Sequence, residues 1–141
     1  MSIEDKRDQI CEVYFTKLKD VSEYIQRPWS KNKLHIKGKW FKVPCKDIEF
    51  SETQESKKKY KQEFKAIMTD SSEAKVKEWT GRMMWRGILK MKYTSGKEIA
   101  FGSTDFPLNV AVSIEGIPSH VVFKASMVTP QRALTLSPSQ E

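Results

Sequence analysis

Cysteine, histidine and long apolar runs are all scarce in this chain of 141 residues. Its two cysteines, Cys11 and Cys45, are too few for a disulfide scaffold or an all-cysteine metal site. No apolar run approaches the ~18 residues that a membrane-spanning helix needs. The first residues also lack the charged, apolar and small-residue order of a secretory signal. These absences predict an intracellular protein, with cytoplasm and nucleus both open.

Catalytic signatures are missing as well. His35 and His120 are far apart in sequence, and neither has a metal-binding spacing such as H-x₃₋₅-H. Lys46 beside Cys45 would favour a reactive thiolate, but one neighbouring lysine is weak support. The sequence contains no phosphate-binding glycine loop, dinucleotide fingerprint or nucleophile elbow. It therefore predicts a protein that is not an enzyme and that uses no cofactor or metal.

Positive charge, in contrast, is abundant and unevenly placed. The formal net charge is +7, and residues 31–92 carry 17 Lys and Arg against 8 Asp and Glu. The segments on either side each carry one more acidic than basic residue. A localised positive field attracts phosphates, anionic lipid headgroups or acidic proteins, although many soluble proteins have lysine-rich surfaces without such a partner.

Two segments have the apolar spacing of amphipathic helices. Residues 2–26 have Ile10, Tyr14 and Leu18 among apolar positions three or four apart. A second helix is expected from Ser51, with a narrow apolar stripe that includes Tyr60 and Phe64. Both helices are predicted to pack on a sheet.

Alternating apolar and polar residues predict the strands. The clearest alternation runs from Trp79 to Tyr93, with basic residues on the phase opposite the apolar one. Further strands are expected at 34–43, around 99–101, at 108–114 and at 121–127, with a tight turn at 94–97.

This element order predicts an α+β fold, an antiparallel meander sheet of about five strands covered on one face by two amphipathic helices. At 141 residues the chain is long enough to bury the core of one ordinary domain. We assign residues 1–128 to a single globular domain and residues 129–141, which are short, polar and contain prolines, to a flexible C-terminal tail.

Basic residues interleaved with aromatic ones supply the candidate binding site. Lysine and arginine neutralise phosphates, and exposed aromatic rings stack on bases. Trp40, Trp79 and Trp85 are expected in the core, whereas Trp29 follows a proline at a predicted helix end and is the best candidate for stacking. The predicted nucleic-acid-binding residues are Trp29, Lys37, Lys39, Lys42, Arg82, Arg86, Lys90 and Lys92.

The favoured hypothesis is a nucleic-acid-binding protein, RNA before DNA, that contacts the backbone through a basic sheet face and the basic segment 31–46. One alternative is a matrix-like or scaffold protein that binds anionic membrane surfaces and self-associates as a homo-oligomer. Another is an adaptor for an acidic protein partner, for which the basic patch would mainly raise the association rate.

Overall fold

Alternation of buried and exposed side chains runs through much of the chain and makes it mostly a β-protein. The computed structural model describes residues 9–27, 33–70, 72–116, 119–130 and 132–136. In the strand Lys59–Met68, for example, Phe64 and Ala66 are buried while Glu63 and Lys65 are exposed. This is the pattern of a strand that buries one of its two faces.

The described residues contain eleven strands, one α-helix and a short 3₁₀ turn. The helix, α1, spans Glu73–Arg82, and the 3₁₀ turn is Leu18–Asp20. The strands are β1 (Ile10–Lys17), β2 (Glu23–Arg27), β3 (Lys33–Lys37), β4 (Phe41–Lys42), β5 (Cys45–Ser56), β6 (Lys59–Met68), β7 (Gly87–Tyr93), β8 (Glu98–Phe101), β9 (Ala111–Glu115), β10 (His120–Thr129) and β11 (Leu134–Leu136).

These strands form two sheets. The first has seven strands in the order β2-β3-β11-β8-β7-β1-β4, and the second has four in the order β5-β6-β10-β9. Neighbouring strands are antiparallel except β11 and β3, which are parallel. Strand β7 lies inside this sheet, where it pairs with β1 on one side and β8 on the other.

The main hydrophobic core combines side chains of both sheets and α1. Phe15, Leu89 and Phe101 are cross-strand neighbours on β1, β7 and β8, and all three are fully buried. Trp79 of α1 meets Phe123 of β10 edge-on, with ring centroids 6.2 Å apart. Aromatic pairs in this geometry add roughly 0.5–1.5 kcal/mol beyond the area that they bury.

A second, smaller core lies on the other face of the seven-stranded sheet. It contains Ile88 and Ala100 of the central strands together with Leu34, Leu134 and Leu136. Ile88 precedes Leu89 on β7, and both side chains are fully buried although they point to opposite faces. Both faces of β7 are therefore packed.

The predicted α+β fold, a sheet of about five strands covered by two helices, is wrong. The structure has two sheets of seven and four strands instead. Antiparallel pairing between consecutive strands is confirmed, including the tight turn at 94–97, where the Tyr93 amide donates to the Lys97 carbonyl at 2.8 Å. The sheets pack mainly on each other.

Neither predicted helix forms in the described residues. The N-terminal segment contains β1, the 3₁₀ turn and β2, and residues 1–8 of it lie outside the described residues. Ile10, Tyr14 and Leu18 are four residues apart, which is about one helical turn but also an even number that suits a strand. The second segment is the long β5–β6 hairpin, whose Phe64 and Ala66 follow period two.

The long strand predicted from Trp79 to Tyr93 is two elements. Its first residues belong to α1, where Val76, Trp79 and Met83 follow the helical spacing of three and four toward the core. Only Gly87–Tyr93 is a strand. The period-two pattern in sequence joins these elements because Trp79 and Met83, four residues apart on the helix, also satisfy an even spacing.

The segment predicted as a tail contains part of a sheet. Thr129 is the last residue of β10 and is 3% exposed, so the predicted boundary at residue 128 falls inside a strand. Leu134–Leu136 forms β11, which pairs with β8 and β3 and buries both leucines. Residues 137–141 lie outside the described residues.

Candidate functional site

The predicted binding residues do not share one sheet face. Lys42, Lys90 and Lys92 belong to strands of the seven-stranded sheet, whereas Arg82 ends α1 and Arg86 lies in the loop before β7. The predicted row of four basic side chains on one strand is therefore wrong. Lys37 and Lys39 lie on either side of Gly38, and Trp29 lies outside the described residues.

Lys90 is enclosed rather than displayed to solvent. Its ammonium nitrogen lies 4.9 Å from the centroid of the Tyr14 ring and 4.5 Å from that of the Trp40 ring. Burial lowers the pKa of Lys90, since a charged amine is less well solvated there. The alternation in sequence places Lys90 on the polar phase of the strand and predicts that it is exposed. It is half-buried instead, because the second core extends to its position on the sheet.

Acidic groups compensate the other two lysines of this face. Lys92 lies between Glu12 and Glu98 in the strand register, and the Lys42 ammonium is 3.7 Å from the Glu12 carboxylate. The Tyr14 hydroxyl donates a 2.6 Å hydrogen bond to Glu12, and this bond lowers the pKa of Glu12 and raises the pKa of Tyr14 to about 12. The sheet face is a paired, packed surface.

Arg82 is also engaged within the protein. Its guanidinium lies 4.2 Å from the centroid of the Phe41 ring and 4.6 Å from that of Trp79. It pairs with Glu78 one helical turn earlier, at 3.3 Å. These contacts hold α1 against the edge strand β4 and leave little of Arg82 for an external ligand.

The end of β1 and the start of β7 bring a different set of cations together. The amide of Leu18 donates to the Arg86 carbonyl at 2.8 Å, which fixes the 3₁₀ turn against the loop before β7. Gly38 approaches the same place: an added Cβ there would lie 3.0 Å from Thr16 Oγ1 and 3.2 Å from the Asp20 carbonyl oxygen. We name this region the basic corner and define it as Lys17, Lys19, Lys37, Lys39, Trp85 and Arg86.

Trp85 is the aromatic centre of the basic corner. The residue is 49% exposed, and the ammonium groups of Lys19 and Lys17 lie 4.2 and 5.4 Å from its ring centroid. The expectation that Trp85 is buried is wrong because the residue belongs to the loop between α1 and β7, before the strand begins. Met84 beside it is 78% exposed.

The cations of the basic corner differ in their partners from Lys65 and Lys124 of the second sheet. Among the described residues, none of its five basic side chains has a carboxylate within 4.0 Å. On the second sheet, by comparison, Lys65 and Lys124 both contact Glu115, at 3.3 and 2.6 Å, and these bonds lower the pKa of Glu115. Cations without acidic partners generate a positive field, which attracts anions.

Sequence reasoning found only part of this region. It identified Lys37, Lys39 and Arg86 but missed Lys17 and Lys19, the latter placed on the solvent face of a predicted helix. The only local signal for these two lysines is their separation by two residues at the end of β1. Their approach to Trp85 depends on the antiparallel pairing of β1 with β7, where Lys17 faces Gly87.

The β5–β6 hairpin carries a second group of lysines at its tip. Lys57, Lys58 and Lys59 are all exposed. The nearby Tyr60 ring is covered by the Arg132 guanidinium, 5.8 Å from its centroid. Tyr60 is only partly exposed, unlike Trp85, so this tip is a useful control for effects of net charge.

Other kinds of site find little support in the part of the chain that the structure describes. Burial raises the pKa of the Cys45 thiol to about 12, which corrects the idea that Lys46 activates it. The described residues contain no cluster of three or more metal-ligating side chains, and none of their helices is long and apolar enough to cross a membrane. In comparisons with protein families, characterised proteins and solved structures, the chain has no match.

Proposed function

We propose that this is a non-enzymatic nucleic-acid-binding protein that contacts the phosphate backbone of RNA, or less favourably DNA, at the basic corner. The observation that carries the proposal is the exposed Trp85 ring with the ammonium groups of Lys17 and Lys19 over it. Among the described residues, the five basic side chains of the corner have no carboxylate within 4.0 Å. Proteins that bind nucleic acid without reading sequence combine cations for the phosphates with exposed aromatic rings.

The proposed binding surface is the basic corner, not the basic sheet face expected from the sequence. Lys42, Lys90 and Lys92 already have acidic or aromatic partners, and Arg82 is packed on two rings. These groups are engaged within the protein and are therefore less available to a ligand. Lys37, Lys39 and Arg86 are exposed and remain in the proposed interface.

The test compares two double variants with equal loss of charge. Lys17→Gln with Lys19→Gln removes the cations next to Trp85, and Lys57→Gln with Lys58→Gln removes two from the hairpin tip. Affinity for a short fluorescent RNA and the same DNA is measured by anisotropy at several salt concentrations. The log–log salt slope should become flatter by about 1.4 in the first variant, since each phosphate contact on a single strand contributes about 0.7.

The hairpin-tip variant should keep a slope close to that of the parent protein. Equal losses in both variants would show that net charge alone drives binding, and the basic corner would then have no special role. A parent protein that binds neither RNA nor DNA at low salt would refute the proposed function itself.

A second candidate function is the binding of anionic membrane surfaces. It is favoured by Met84, which is 78% exposed beside Trp85 and a few residues from the cations of the corner. Exposed apolar side chains next to lysines are typical of proteins that lie on a lipid interface. Met84→Gln should weaken sedimentation with anionic liposomes if this function is correct and should leave RNA affinity unchanged.

A further inference from the structure

We infer that the basic corner binds single-stranded nucleic acid, with one unpaired nucleobase stacked on the indole of Trp85. The inference rests on the proposed function and adds to it the physical state of the ligand. It starts from the difference between two tryptophans. Trp79 is buried in the main core, whereas Trp85 belongs to neither core, so packing does not explain the position of its ring.

The backbone on both sides of Trp85 is held firmly. Before it, the Met83 amide donates to the Trp79 carbonyl at 2.8 Å. After it, the Arg86 carbonyl accepts from Leu18, and Gly87 exchanges two backbone hydrogen bonds of 2.9 and 2.8 Å with Leu108. A ring on such a loop is largely positioned before a ligand arrives, which reduces the entropy lost on binding.

The lysines are placed to act on a ligand that stacks. Lys19 and Lys17 reach the ring with their ammonium groups 4.2 and 5.4 Å from its centroid. Both side chains are long and flexible, so an ammonium can move from the ring to a phosphate while a base takes its place. A base stacked on Trp85 brings its own flanking phosphates beside these lysines.

A duplex cannot use this arrangement fully. Its bases are already stacked on one another and present only their edges, whereas bases in single strands can turn a face toward an aromatic side chain. Phosphate contacts alone would serve duplex and single strand alike, so the exposed ring is the feature that favours the single strand.

The experiment uses the full chain and three probes of equal length: oligo-dT, an abasic phosphodiester of the same length, and a dT·dA duplex. We expect oligo-dT to bind about 5- to 150-fold more tightly than the abasic strand. This range corresponds to the ~1–3 kcal/mol of one stacked base at about 1.4 kcal/mol per tenfold. Quenching of tryptophan fluorescence should accompany binding of oligo-dT and be weaker for the other two probes.

Variants separate the ring from the charges. Trp85→Leu should bring oligo-dT close to the affinity of the abasic strand, and Trp85→Phe should retain part of the difference. Lys17→Gln with Lys19→Gln should weaken both probes by similar factors. Ile114→Ala is the control for an exposed apolar residue, since Ile114 is 73% exposed on β9 of the second sheet.

The outcomes distinguish this inference from the proposed function. Equal affinity for oligo-dT and the abasic strand, or a preference that persists in Trp85→Leu, overturns the stacking role while backbone binding stands. Failure of all three probes and of the short RNA to bind overturns the proposed function. Binding to anionic liposomes alone assigns the corner to a membrane and overturns both.

Discussion

Gly87 is the position where a single methyl group should do the most damage. It is the first residue of β7, pairs with Lys17 of β1 and forms a bridge with Leu108. A Cβ at this position would overlap the Thr16 carbonyl oxygen and lie 2.7 Å from two atoms of the Phe15 ring. Gly87→Ala must therefore push apart two central strands or displace a fully buried aromatic side chain.

The size of the effect follows from what blocks the methyl group. Overpacking a core usually costs about 1–3 kcal/mol, and occasionally more. Here one obstacle is backbone in a paired strand, which cannot change rotamer as a side chain can, so we expect a loss of about 3 kcal/mol or more. Such a loss is a large part of the ~5–15 kcal/mol stability of an ordinary domain.

Gly81 provides the matched control, because the chemical change is the same and the surroundings are open. It lies in the last turn of α1, and no atom lies within 4 Å of an added Cβ. Gly81→Ala should raise the free energy of unfolding by about 0.5 kcal/mol, as alanine is the better helix former.

Urea unfolding followed by tryptophan fluorescence measures both variants, with the buried Trp79 as one reporter of the core. The two alanines should shift the midpoint in opposite directions. A Gly87→Ala protein within about 1 kcal/mol of the parent would mean that β1 and β7 do not approach as closely as described, since that approach alone generates the expected ~3 kcal/mol.

Further experiments test the cores, the cysteines and β11. Leu89→Ala should lower the free energy of unfolding by about 2–5 kcal/mol. Lys90→Ala should lower it by only about 1 kcal/mol, through the loss of two ring contacts. Urea unfolding measures both changes. At pH 8 a thiol reagent should label exposed Cys11 in the native protein but Cys45 only after unfolding, since burial raises the pKa of Cys45 to about 12. Mass spectrometry of the labelled peptides shows which of the two cysteines has reacted. Deleting residues 132–141 should lower the melting temperature clearly because it removes β11, and an unchanged melting curve would contradict the described pairing.

Some strands that pair with a neighbour close in sequence could be predicted, whereas β1, which pairs with distant segments, was mistaken for a helix. The hairpin after Tyr93 and the strand around Phe123 were found because alternation and turn residues agree there. In the N-terminal segment, apolar residues at even spacings fit both a helix and a strand, and only partners far along the chain decide between them. β1 is a strand because β7, more than 70 residues later, pairs with it.

β11 illustrates the same limit more sharply. Three residues carry almost no periodic signal, and Leu134–Leu136 resembles any short apolar stretch of a tail. The segment becomes a strand because it fills the gap between β8 and β3, one antiparallel and one parallel neighbour. A strand of this kind forms because two other strands leave room for it between them, and the local sequence pattern carries no information about that.

The basic corner, like β11, is assembled from segments that are far apart in sequence. The excess of positive charge lies in residues 31–92, yet the two lysines nearest Trp85 come from the almost neutral segment before it. Within the positive segment, some lysines contact carboxylates, as Lys42 and Lys65 do. Linear charge density therefore indicated Lys37, Lys39 and Arg86 of the basic corner but not Lys17 and Lys19. Chain topology selects which cations stay unpaired, because it decides which strand ends meet, and the unpaired ones are those that a polyanion can use.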